Sequence, residues 1–122
     1  MADASEFGNI FAELRLIFRS LESKLDIIKD DAAEFCANSR KPWSNGKELY
    51  FGGAVIKKNY VSFYLMPVYM YPDLLDGTTE ALRKRMQGKS CFNFTKYDRP
   101  LIRELATLTK VSFERLRNEG YA

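Results

Sequence analysis

The run ELYFGGAVIKKNYVSFYLM, residues 48–66, decides the fold. It holds two stretches rich in β-branched and aromatic residues, Glu48 to Ile56 and Tyr60 to Met66, joined by Lys57, Lys58 and Asn59. Such stretches on either side of a short polar link predict a β-hairpin, with Asn59 supplying the positive φ that a tight turn demands. Side chains alternate across a strand, so Phe63 and Leu65 belong to one face and Ser62, Tyr64 and Met66 to the other. Gly52-Gly53 lies inside the first strand, where glycine marks a bulge or a close approach of backbone.

Outward toward the N-terminus, Leu25 to Lys29 and Ala32 to Asn38 read as two further strands separated by the turn formers Asp30 and Asp31. Residues 39–47 form a polar loop with one large apolar residue, Trp43. Before these strands, Phe7, Ile10, Phe11, Leu14, Ile17, Phe18 and Leu21 recur at spacings of three and four, which predicts an amphipathic helix from Ser5 to Glu22. Asp3 or Ser5 is placed to cap it.

Outward toward the C-terminus, Pro67 and Pro72 bracket a stretch read as irregular. Asp76-Gly77 marks a turn, Thr78 is placed to cap a short helix ending near Met86 and Gly88, and Ser90 to Phe94 reads as a strand. Asp98 caps a last helix with Pro100 in its first turn and Gly120 as its stop. Its apolar stripe is Leu101, Ile102, Leu105, Leu108, Ser112, Phe113 and Leu116. The order is α-β-β-β-β-α-β-α, one α+β domain over residues 1–122 with an antiparallel sheet of about five strands and helices on one face. Phe63, Leu65, Phe92 and Phe94 should face the helices. Ser62, Tyr64, Met66, Cys91 and Asn93, joined by Glu34 and Cys36, should form the open face.

A chain of 122 residues can bury roughly two-thirds of its unfolded surface around one core. Lys and Arg number 19 against 16 Asp and Glu, a net charge of +3 that lacks the concentrated basic stripe of a nucleic-acid binder. No apolar run approaches the ~20 residues that span a bilayer, and residues 1–8 have no signal-like apolar region. Two cysteines outside any CxxC pattern read as reduced thiols, so a soluble cytoplasmic protein with no membrane contact is expected.

The sequence has no histidine. That removes Ser-His-Asp and Cys-His catalysis, the commonest general base and every histidine-containing metal site. Gly88-Lys89-Ser90 has the ending of a phosphate-binding loop, but Arg83 stands where its first glycine is required, and a strand follows instead of a helix. Asp26, Asp30, Asp31 and Glu34 form an acidic cluster suited to weak binding of a hard cation, although turns also collect Asp for local hydrogen bonds. Cys36 and Cys91 with Glu34 fall short of a closed tetrahedral site. Arg83, Lys84, Arg85 and Lys89 are basic, and Trp43, Tyr50, Tyr69 and Tyr71 are potential stacking platforms, but the aromatics are scattered, so nucleic acid is not the expected partner.

The runs YVSFYLMP, residues 60–67, and KRMQGKSCFNF, residues 84–94, resemble the bacterial YdhG-like family, domain of unknown function 1801. The most specific part is Gly88 to Phe94, and the likeness covers most of the chain. It implies a compact α+β domain and, for most members, no established activity. One branch is described as a frataxin-like intracellular iron chaperone, which implies weak iron binding through exposed acids such as Asp26 to Glu34. No iron-ligand motif carries over residue by residue, and Cys91-Phe92-Asn93-Phe94 stands where that branch has a more basic strand.

Together these readings lead to an uncharacterised binding or carrier domain. No cofactor is expected, save iron by resemblance. The ligand-binding candidates on the open face are Cys36, Tyr64, Met66, Cys91 and Asn93, and Asp26, Asp30, Asp31 and Glu34 are the metal candidates. The alternative is a protein-interaction module, a homodimer through the open sheet face, without enzymatic activity. A catalytic role for Tyr64, Lys89 or Cys91 lacks a second group at a diagnostic spacing.

Overall fold

The computed structural model describes residues 4–42 and 45–122, so Asp3 and Trp43 lie outside the described residues. Five strands, β1 (Leu25–Asp30), β2 (Glu34–Ser39), β3 (Tyr50–Ile56), β4 (Val61–Leu65) and β5 (Cys91–Phe94), form one antiparallel sheet in sequence order. The helices are α1 (Ala4–Leu16), α2 (Met66–Met70), α3 (Glu80–Arg83) and α4 (Arg99–Asn118), with 3-10 segments at Arg19–Lys24 and Pro72–Gly77. The fold is the mixed α+β arrangement that the order of periodicities predicts.

The core lies between the helices and one sheet face. Phe63, Leu65, Phe92 and Phe94 are fully buried there, as the alternation requires. Phe18 is the hub. Its ring stacks on Phe63 at 5.2 Å between centroids, tilts against Phe35 at 5.0 Å and meets Phe51 edge-on at 6.2 Å, geometries that favour aromatic pairs. Every residue of the α4 stripe is buried. Asp98 caps α4 by accepting the Leu101 N–H at 3.2 Å, and Gly120 ends it at φ +93°.

Several boundaries differ from expectation for identifiable reasons. The first helix stops at Leu16 instead of Glu22. Ile17 and Phe18 bond back to Leu14 and Arg15, tightening the chain into a 3-10 segment whose three-residue turns bury Phe18 and Leu21. Ser5 falls inside α1 and does not precede it. No residue other than glycine has positive φ among those described, so Asn59 does not supply one. The hairpin closes instead through a four-residue loop in which Lys57 N–H donates to Tyr60 O at 2.8 Å. Between Pro67 and Pro72 the chain is helical, because Pro67 occupies the first turn of α2, where no N–H is needed. Thr79, one residue later than expected, caps α3 through Leu82 N–H, while the Thr78 hydroxyl donates to Leu75 O. α3 ends at Arg83. Beyond it the Arg85–Gln87 stretch runs beside β5, with Asn93 N–H on Arg85 O and Gln87 N–H on Cys91 O. Gly88 makes the reversal at φ +87°.

Candidate functional site

The uncovered face of the sheet is built by register. Cys36 pairs with Gly53, Gly53 with Tyr64, and Tyr64 with Cys91, so these four residues form one row across β2 to β5. The adjacent row is Glu34, Val55, Ser62 and Asn93. Opposed residues of antiparallel strands share a face. The structure therefore brings Cys36, Tyr64, Cys91 and Asn93 to one surface, all half-buried.

Met66 does not join them. The chain leaves the sheet at Leu65, and Met66 opens α2 and packs against the core.

Tyr50, which the sequence suggests only as a stacking platform, belongs to this face. A register shift between Ala37 and Asn38 leaves one extra residue on β3. Gly53 provides the space for the phenol. A Cβ on Gly53 would lie 2.8 Å from the Tyr50 hydroxyl, 2.3 Å from Phe35 O and 3.0 Å from the Cys36 Cα. Burial first, and then the nearby Cys36, Tyr64, Glu34 and Cys91, push the Tyr50 hydroxyl well above its ordinary range. The sequence signal is the Gly52-Gly53 pair, the mark of a bulge or close approach, and it points to Tyr50 once the register is known.

The two thiols are also held neutral. Burial raises Cys36, helped by Glu34, and burial raises Cys91 against hydrogen bonds with Ser62 and Tyr64 that lower it. Asn93 organises the far end, where its Oδ1 accepts the Ser62 hydroxyl at 2.7 Å and the Cys91 thiol at 3.3 Å. A neutral, partly buried thiol is a poor nucleophile and a poor metal ligand. Three inter-strand steps separate Cys36 from Cys91, about 14 Å at the ~4.8 Å spacing of paired strands. That distance exceeds both the ~7 Å reach of a disulfide and the separation two thiolates have on one metal.

The acidic candidates are divided. Asp30 lies opposite Phe35 on the helix-covered side, where Arg15 holds it through Nε at 3.0 Å and Nη2 at 2.8 Å. Asp26 pairs with Arg40 at 3.6 Å and Glu34 with Lys29 at 3.2 Å. Asp31 accepts the backbone N–H groups of Ala33 and Glu34 at 2.9 Å, the local turn bonding expected of Asp. Among the described residues no three His, Cys, Asp or Glu side chains come together to hold a metal ion.

Concave regions also lie away from the sheet face, a smaller one of about 240 Å³ beside Leu21 and Phe113 and two larger ones. Of the larger two, one, of about 400 Å³, runs between Leu74 and Leu108 with Asp73 and Glu104 in its lining. The other, of about 500 Å³, lies between α2 and the Gly88-Lys89 turn. Among the described residues no helix is long and apolar enough to cross a membrane.

No family model matches the chain, and no curated protein and no solved structure matches it.

Proposed function

We propose that this chain is a non-enzymatic binding domain, that the uncovered sheet face is its contact surface, and that a second copy of the chain occupies it. The observation that supports this reading is the Cys36–Gly53–Tyr64–Cys91 row, whose gap at Gly53 the Tyr50 phenol fills. A row of two neutral thiols and a tyrosine ring, flanked by an amide, presents hydrogen-bonding and aromatic surface without a poised nucleophile, which suits noncovalent contact.

Charge supports the choice of a second copy. The chain carries +3 overall, which opposes self-association in general. At the β1 end of the face, however, Asp26 is matched by Arg40 and Glu34 by Lys29. That end of the face is therefore close to neutral, and two copies approach through it without the repulsion that an excess of cations imposes.

Iron handling, which the resemblance to the YdhG-like family implies, draws less support. Its proposed carboxylates lie on different faces, each engaged by a cation or by backbone N–H groups.

Light scattering over rising concentration tests the reading. The expected mass approaches twice that of one chain, and Tyr64→Arg, which introduces a charge into the row, returns it to one. A wild-type chain that stays monomeric throughout would overturn the proposal.

A further inference from the structure

The groove beside α2 is chemically unlike the sheet face, and its parts meet for a reason. α2 follows β4 directly, while the Arg85–Gln87 stretch runs along β5, the neighbour of β4. Leu65 N–H donates to Ser90 O at 2.9 Å, which fixes the start of α2 beside the end of the Gly88-Lys89 turn. Val68, Tyr69, Pro72, Leu75, Met86 and Lys89 line the resulting groove. Its volume of about 500 Å³ falls within the ~300–1,000 Å³ of small-molecule sites.

The lining is apolar and aromatic with one charge, and that charge is positive. Lys89 Nζ lies 6.0 Å from the centre of the Tyr69 ring, and among the described residues no carboxylate comes within ion-pair distance of it. Tyr69 is 55% exposed, a large aromatic surface left uncovered at the same rim. The other large groove has the opposite character. Its lining charges are Asp73 and Glu104, already engaged by Arg115 at 2.8 Å and by the Thr79 hydroxyl at 2.7 Å. Of the two, the groove beside α2 has the charge that is free to meet a ligand.

We propose that this groove binds a small amphipathic carboxylate. The hydrocarbon or aromatic body lies along Val68, Leu75 and Met86, Tyr69 flanks it, and the carboxylate meets Lys89 Nζ. Burying the body supplies most of the affinity, and the ammonium group supplies the preference for an anion.

Octanoate, octanol and octylammonium, each titrated into the full chain and followed by backbone amide NMR, test this. Octanoate is expected to shift the amides of residues 68–75 and 86–89 and to bind about two- to fivefold more tightly than octanol, the scale of one partly exposed charge contact. Lys89→Met keeps an apolar stem and removes the charge, so it should abolish that preference while octanol binding stays unchanged. Lys84→Met, an exposed lysine outside the groove lining, should leave both unchanged. Equal binding of octanoate and octanol by the wild-type chain, tighter binding of octylammonium, or shifts confined to other surfaces would overturn the proposal. A monomeric result in light scattering bears on the sheet face and leaves this test intact.

Discussion

At Gly53 a single added carbon meets three atoms it cannot pass, two of them backbone. Gly53→Ala forces β2 and β3 apart at the Phe35 carbonyl and displaces the Tyr50 phenol as well, at the ~1–3 kcal/mol typical of overpacking. Chemical denaturation should show that loss. Tyr50→Phe keeps the ring over the glycine, so its stability should stay close to that of the parent. The titration of the same face has a definite sign. Tyr50, Cys36 and Cys91 are all raised by burial, so the fold holds their protons more tightly than the unfolded chain does. Their contribution is complete below the ordinary thiol and phenol values of ~8.5 and ~10 and is lost as pH rises through the higher folded values. Stability measured from pH 7 to 11 should therefore fall, and iodoacetamide should alkylate both cysteines more slowly in the folded chain than in denaturant.

Among the elements, α4 shows the closest agreement between sequence and structure. Asp98, Pro100, the apolar stripe and Gly120 are each local signals, and all act as local rules require. Asp98→Ala leaves the Leu101 N–H without its partner, and thermal denaturation should report a loss of about 1 kcal/mol. The join of α1 to β1 is a contact between distant residues and is not legible in this way. Arg15 reaches from α1 to Asp30 and Glu22 and stacks over Phe35 at 4.0 Å. The Arg15 hydrogen bond holds the Asp30 carboxyl below the usual range. Its stabilisation is therefore present above ~4 and lost as pH falls through the folded value. Asp30→Asn should flatten the acid limb of the stability curve and cost less than about 1 kcal/mol at neutral pH, because the carboxylate is exposed. The 3-10 segment after α1 and the helical stretch at Pro67 escaped the periodicity for a related reason. Spacings of three and four do not separate a 3-10 turn from an α-helix, and a proline in a first helical turn resembles a breaker.

Across the whole molecule, strand alternation was enough to sort the core from the open face. It placed Phe63, Leu65, Phe92 and Phe94 inward and Cys36, Tyr64, Cys91 and Asn93 together. The same rule failed at Met66, where the chain leaves the sheet, and Asp30, read as a turn former, instead ends β1 on the helix side. Nor does alternation reveal the α2 groove, since Tyr69 and Lys89 meet only after β4 and β5 have paired. The claim that joins fold to function is that the Cys36–Gly53–Tyr64–Cys91 face meets a second copy of the chain. The most direct test follows backbone amide shifts through a dilution series from high to low concentration at neutral pH. Concentration-dependent shifts centred on Cys36, Gly53, Tyr64, Cys91 and Asn93 are the predicted result. Spectra that do not change on dilution, or changes confined to the helices, would contradict it.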